Sequence, residues 1–389
     1  MEPETAKKLK IVYVTPALYM AGGVERVLTL KANYFAEHFG YGITIILTEG
    51  KDKPLFYPLS EKIKVINLNI GFEELWTCSF LKKIFVYLKK QCQYKKALTN
   101  ELIHLRPDIT ISLLRREINF INDIKDGSRK IGELHVNRAN YRNFEANDSN
   151  FIKNLFAKFW MHSLVSKLKQ LDRFVVLTEE DKSAWPELHN ICVIPDPLSF
   201  IPTQQSPLTE KRVIAVGRYV YQKGFDLLLQ AWAKIEKQYP DWQLAIYGDG
   251  NRTPYEQQMK DLGIDDTRCH LNGPTADIQQ EYVNSSLFVF SSRFEGFGMV
   301  LVEAMACGLP VISFACPCGP KDIIKDGEDG LLVDNGNVEA LAANMFQLMG
   351  DESLRMSMSQ AGQNNSHRFG MEQITIRWKG IFESNEKQS

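Results

Sequence analysis

Several signatures are missing from this 389-residue chain, and each absence removes a class of chemistry. No GxGxxG occurs, so a dinucleotide-binding oxidoreductase loses its phosphate cradle. No GxSxG occurs, which removes the nucleophile elbow of serine hydrolases. No two aspartates stand one residue apart, so the chain has no DxD clamp to hold a divalent metal against a diphosphate. Cysteine is sparse and unpatterned: there are seven, with no CxxC pair and no histidine at zinc spacing, and the bland reading is reduced thiols. Cys316 and Cys318 alternate but lack the two further ligands a metal would need. Charge of one sign is also missing; a formal net of -1 excludes nucleic-acid binding driven by overall charge. No uncharged apolar run approaches the length of a bilayer, and the opening MEPETAKKLKIVYV carries acids where a signal peptide has basic residues. A cytoplasmic protein with no metal and no organic cofactor is expected.

What is present alternates between strand and helix. The length exceeds one ordinary domain and suits two. Apolar, β-branched or aromatic runs recur at 10–15, 42–48, 64–68, 108–113, 130–134 and 173–178, and again at 212–217, 242–248, 287–292, 310–314 and 330–333. Helical patterns separate most of them, as in parallel doubly wound sheets. Pro195, Pro197 and Pro202 cannot continue a helix or a central strand and mark a linker. The expected organisation is 1–194, 195–365, and a closing amphipathic helix within 366–389. Open sheets of this kind bind ligands beyond the carboxyl ends of their strands, where the glycine-rich turns of this chain lie.

The densest information sits in residues 286–314, SLFVFSSRFEGFGMVLVEAMACGLPVISF. A buried strand leads through a turn holding Gly296 and Gly298 into a helix from Val300 to Ala306. Without side chains, the glycines let backbone N–H groups approach an anion where orphan donors and the helix dipole favour negative charge. Glu295 in the loop and Glu303 in the helix are suited to paired sugar hydroxyls. Phosphate then falls to the backbone around Gly296, Phe297, Gly298 and Met299. Upstream, AVGRYVYQKGFDLLLQAWA places Arg218 and Lys223 after the first strand of the second half. A planar fork and a mobile ammonium there can offset charge on a departing nucleoside diphosphate.

This pattern resembles the retaining glycosyltransferases of family 4, the glycosyl transferases group 1, of the kind used in bacterial surface polysaccharide assembly. The resemblance implies an α/β GT-B fold: two Rossmann-like doubly wound domains facing a cleft, the first for acceptor, the second for nucleotide sugar, with the last helix crossing back. It also implies that Glu295 faces the donor sugar, that Glu303 takes the ribose hydroxyls, and that the turns at Gly248 and Gly273 approach the nucleotide with main-chain groups. In the first half it puts His135, directly after strand 130–134, near the donor sugar. Gly22 and Gly23 would let backbone approach the diphosphate or the acceptor, with a simple structural turn as the rival. Arg138 could serve an acceptor phosphate. Asp196 departs from the family pattern, which commonly has asparagine there, so no linker hydrogen bond is carried over.

The implied activity is retaining, metal-independent transfer of a hexose-type sugar from a nucleoside diphosphate, with UDP expected, to a glycan or lipid-linked acceptor hydroxyl. The catalytic set would be Glu295, His135, Arg218 and Lys223. No enzymic nucleophile stands out, so the leaving phosphate oxygen is the most economical base. A sugar-nucleotide epimerase or hydrolase, and a non-catalytic sugar-nucleotide binding subunit, would share the donor pocket and stay open. Segments 80–96 and 151–171 interleave aromatics such as Phe85, Phe159 and Trp160 with lysines including Lys82, Lys83, Lys89, Lys90, Lys167 and Lys169. Each segment alone reads equally well as a core-facing helix with solvated lysines; together they suggest a cationic face, and with it peripheral attachment to an anionic cytoplasmic leaflet and a polyprenyl-linked acceptor.

Overall fold

The computed structural model describes residues 8–77, 79–141 and 151–384. The side chains of Trp76, Phe80, Leu81 and residues 151–158 also lie outside the described set, so the first part of the basic segment 151–171 falls there too. The chain divides into two compact units. One runs as far as Leu177 and adds Lys182–Ile194 and the chain from Ile374 onward; the other holds Thr178–Asp181 and Pro195–Gln373.

The first unit carries seven parallel strands: β1 Lys10–Thr15, β2 Gly42–Leu47, β3 Lys64–Asn67, β4 Ile109–Ser112, β5 Arg129–Glu133, β6 Arg173–Val176 and β7 Ile191–Val193. Their order is β3-β2-β1-β4-β5-β6-β7. Side chains alternate across a strand, so β1 feeds two cores. Val12 and Val14 join Leu98, Leu102 and Phe174 on one face. Ile11 and Tyr13 join Leu28, Phe35, Trp378 and Phe382 on the other. Cover on both faces explains the unbroken apolar runs. It also explains why the last helix, Met371–Glu383, belongs to this unit: burial of Ile374, Trp378 and Phe382 contributes roughly 1.5–3 kcal/mol apiece.

The second unit holds β8 Arg212–Val216, β9 Gln243–Tyr247, β10 Cys269–Asn272, β11 Leu287–Phe290, β12 Val311–Phe314 and β13 Leu331–Val333. Their order is β10-β9-β8-β11-β12-β13, again parallel.

Three features differ from the expectations. β7 and β10 were not foreseen; both are edge strands, three and four residues long, and β10 reads CHLN, with polar residues at two of four positions. The closing helix is not continuous over 366–383. A helix Glu352–Ser366 ends in a 3₁₀ turn at His367–Phe369, and Gly370 separates it from Met371–Glu383. Finally, Thr178–Asp181 leaves the first half of the sequence for the second unit. Glu180 accepts from the Cys318 N–H at 2.8 Å and pairs with Lys321 at 2.6 Å, while Asp322 accepts from the Glu179 N–H at 2.8 Å.

Among the described residues no helix is long and apolar enough to cross a membrane. The basic segment 80–96 lies in the helix Phe80–Leu105. Lys82, Lys83 and Lys89 are exposed beside Ile84, Phe85 and Leu88, with Phe85 71% accessible. Lys90 is a correction: it turns inward, its ammonium donating to the Ile70 carbonyl at 2.7 Å and pairing with Glu74 at 3.0 Å. Burying that head group satisfies two acceptors at the start of the helix layer, so it adds nothing to a cationic face.

Candidate functional site

In the second unit the site is assembled from loops at the carboxyl ends of β8, β9 and β11. After β8 the chain passes Gly217 and Arg218 into a 3₁₀ turn, Tyr221–Lys223, and then the helix Phe225–Ile235. The turn is tied to the loop after β11. The Arg293 N–H donates to the Gln222 carbonyl at 2.8 Å, and Ser291 Oγ to the Lys223 carbonyl at 2.9 Å. The Arg293 guanidinium forks onto Asp226 at 2.8 and 2.6 Å and stacks over Tyr221 at 4.1 Å. Two strand ends thus hold each other in register.

That bracing brings Lys223 to Glu295. Their ammonium and carboxylate lie 2.6 Å apart, with 15% and 9% of the side chains accessible. Gln222 Nε2 donates to the Phe294 carbonyl at 3.0 Å and reaches the second Glu295 oxygen at 3.4 Å. Arg218 is exposed, and no hydrogen bond or ion pair holds its guanidinium among the described residues. A cation and a carboxylate are presented side by side, with a second cation nearby in sequence on the same loop.

The turn after Glu295 opens the helix Met299–Ala306, with Gly298 as its N-cap at φ 102°, a conformation costly for any residue with a Cβ. The helix starts one residue earlier than expected. Phe297 is buried against Phe369. Glu303 is 3% accessible; Ser199 donates to one of its oxygens and Tyr282 to the other at 3.2 Å. Gly248, after β9, lies so close to β8 that a Cβ would stand 1.7 Å from the Gly217 carbonyl oxygen. Any side chain there would push the β8 loop, and Arg218 with it, out of place. Gly273 follows β10 with open space around it.

In the first unit, Gly22 caps and Gly23 opens the helix Gly23–His38. Glu133 ends β5 and His135 follows it. Arg138 forks onto Glu187 at 2.8 and 2.9 Å, donates to the Ala184 carbonyl at 2.5 Å and sits over Trp185 at 4.5 Å. Its hydrogen bonds hold the Glu187 carboxyl down at about 2. A phosphate at Arg138 would have to displace that carboxylate.

Residues 199–365 match the family model of the glycosyl transferases group 1. Over 372 residues the chain is 30% identical to a protein of Haemophilus influenzae described as an uncharacterized glycosyltransferase, with 93% of this chain and 96% of that one aligned. The chain belongs to the glycosyl transferases of group 1. It is also 27% identical, over 95% of its length and 97% of the other, to the Campylobacter jejuni α-1,4-N-acetyl-D-galactosaminyltransferase named for a GalNAc-containing glycan on PP-undecaprenol. Its fold matches a variant of Staphylococcus aureus TarM in complex with fondaparinux, α-GlcNAc-glycerol and UDP, with a TM-score of 0.73, 17% identity, and 97% and 100% of the two chains covered. The fold is GT-B.

The sequence left unmarked the groups that brace these loops and side chains within each unit. Asp226 and Arg293 lie 67 residues apart, and Ser199 and Glu303 are 104 apart, so no local pattern joins them. Lys31 did leave a signal. It falls on the apolar stripe of its helix with Val27, Leu28, Ala32 and Phe35, a position where an unpaired ammonium would be prohibitive.

Proposed function

We propose that this glycosyltransferase is a retaining, metal-independent hexosyltransferase that uses a UDP-sugar and a lipid-linked glycan acceptor. The observation that carries the reading is the Lys223–Glu295 pair, 2.6 Å apart beside the Gly296–Gly298 turn. A donor can replace each partner of that pair with a better one. The diphosphate takes Lys223, joined by Arg218 and by the backbone N–H groups at the start of Met299–Ala306; the sugar hydroxyls take Glu295. Glu303 is assigned to the ribose, and the loops at Gly248 and Gly273 to the nucleotide. From the first unit, His135 is assigned to the donor sugar, with Gly22 and Gly23 beside the diphosphate or the acceptor.

Catalysis then consists of stabilising an oxocarbenium-like centre and the departing UDP. Attack comes on the face the leaving group vacates, and the phosphate oxygen takes the acceptor proton. Side-chain cations at the diphosphate and the missing DxD support independence from metal. UDP in the TarM complex and PP-undecaprenol in the name of the Campylobacter relative support the donor base and the acceptor class.

The exposed set Lys82, Lys83, Lys89, Ile84, Phe85 and Leu88 supports attachment to an anionic bilayer, since apolar side chains can enter the interface while ammoniums meet lipid phosphates. The experiment is a panel of nucleotide sugars with undecaprenyl-linked acceptors in the presence of EDTA. Transfer with the anomeric configuration of the donor kept, by NMR, is the expected result. An inverted product, or activity restored only by manganese or magnesium, overturns it.

A further inference from the structure

Inside the first unit, Lys31, Glu133 and His135 form a charged cluster sheltered from water. Lys31 and Glu133 are ion-paired, each with 1% of its side chain accessible. The Lys31 ammonium also lies 4.5 Å from the centroid of the Trp378 ring, on the last helix. The same carboxylate oxygen that meets Lys31 is 3.2 Å from Nε2 of His135, an ion-pair distance, and the imidazole is 5% accessible. The other Glu133 oxygen is buried and has no hydrogen-bond partner among the described residues. One oxygen of one carboxylate therefore lies within ion-pair distance of both nitrogens.

A buried ion pair is an inefficient source of stability, because desolvation of both charges offsets most of their attraction. What it does provide is a fixed charge in a fixed place. Burial pushes the Glu133 carboxyl up, but the Lys31 ammonium, with His135 alongside, outweighs burial and holds it at about 2. Tyr13, raised by burial and by Glu133, stays a neutral phenol beside it. A ring-nitrogen lone pair facing an ionised carboxylate at 3.2 Å is repelled, whereas an N–H is attracted. The field of that carboxylate favours the tautomer that carries its proton on Nε2, and His135 lies two residues beyond the strand end at Glu133.

We propose that Glu133, kept ionised by Lys31, is a positioning residue that fixes the ring orientation and the proton-bearing nitrogen of His135 for sugar transfer. The proposal rests on the assignment of His135 to the donor sugar made above. It adds two residues to the transfer machinery that touch no substrate, one of them reached across 102 positions of sequence.

Glu133→Gln alone would leave a buried ammonium without its counter-charge and risks unfolding. The test therefore uses the double variant Lys31→Met with Glu133→Gln, which removes both charges at similar volume, with a thermal melt to establish that it folds. Histidine ¹⁵N NMR of wild type and double variant reads the His135 nitrogens directly. Steady-state kinetics read kcat and donor KM, with His135→Gln as the reference. The expected result is a His135 spectrum that moves from Nε2-protonated toward a tautomer mixture, and a kcat lowered on the order of tenfold with donor KM unchanged. In the triple variant kcat should then fall no lower than in His135→Gln alone, because Glu133 and Lys31 act only through His135. Unmoved nitrogen signals overturn the proposal whatever the activity, and so does a moved spectrum with full kcat while His135→Gln is impaired. If His135→Gln itself keeps full kcat, the assignment of His135 to the sugar has failed, and the spectrum still decides whether Glu133 orients it.

Discussion

Two lysine–glutamate pairs stand at strand ends, one in each unit, and they differ chiefly in their access to water. Lys223 and Glu295 lie on loops after β8 and β11, 15% and 9% accessible. Lys31 and Glu133 are at 1% each. The chemistry is the same and the surroundings are not. An open pair can be separated by a ligand, because an incoming phosphate or hydroxyl replaces what each partner loses. A closed pair has no replacement at hand, so it persists through any ligand cycle and can only act on its neighbours. Accessibility, more than residue type, sorts the two into a site that exchanges partners and a scaffold that keeps them.

The largest effect that could break this contrast is on stability. Glu133→Ala leaves the Lys31 ammonium buried and alone, a loss of about 3–5 kcal/mol. Glu295→Ala leaves Lys223 able to turn to solvent, a loss on the order of 1 kcal/mol. Urea denaturation of the two variants checks the difference, and equal losses would erase the distinction between the pairs.

Acid titration sharpens the same contrast. The Glu133 carboxyl sits near 2 in the folded protein against an ordinary 4.5, so the folded state gains from its ionisation above about pH 4.5 and loses that gain as the pH falls toward 2. Wild type should lose stability steadily through that window. The Lys31→Met with Glu133→Gln variant should lose less across it, as read from melting temperatures at each pH. Parallel curves would mean that the pair contributes nothing to acid sensitivity.

Next come the two glutamates of the second unit. A charge-assisted hydrogen bond is worth about 1.5–3 kcal/mol. Glu295→Ala should spend that loss on turnover, its contact being with the reacting sugar, and Glu303→Ala on donor affinity. Glu303→Ala carries a second cost, because Ser199 and Tyr282 are left with buried hydroxyls and no acceptor. Isothermal titration of the donor and single-turnover rates separate the two variants; equal weakening of binding with turnover intact would refute the division of labour.

The same contrast governs what the sequence made legible. Strands with both faces covered, such as LFVF in β11, are continuous apolar runs and stand out. Edge strands β7 and β10 are short, and β10 carries His270 and Asn272, so hydrophobicity alone misses them. Open site groups were visible because glycine turns and a local glutamate spacing are sequence patterns. The partners brought in by the fold were not, since Glu133 meets Lys31 and Glu303 meets Ser199 across 102 and 104 positions of sequence. The break at Gly370 was hidden for a related reason: an amphipathic period continues across it, although the hydrogen bonding does not.

The smallest effect tests whether accessibility also sorts adjacent lysines on one helix. Lys89 is exposed beside Leu88, whereas Lys90 is spent on the Ile70 carbonyl and Glu74. A basic residue near an anionic surface is worth about 1 kcal/mol, roughly a fivefold change in partition. Lys89→Gln should therefore weaken low-salt cosedimentation with phosphatidylserine vesicles by about that factor. It should leave the melting temperature where it was. Lys90→Gln should do the reverse, lowering the melting temperature through the lost partners and leaving vesicle binding alone. Lys82→Gln and Lys83→Gln should follow Lys89, and all of these binding losses should vanish at high salt, where screening has already removed the attraction. If Lys90→Gln weakens vesicle binding as much as Lys89→Gln, the helix meets the bilayer through overall charge and not through this face. If none of the four changes binding and wild type stays in the supernatant, the bilayer is the wrong partner and a soluble glycan acceptor takes its place.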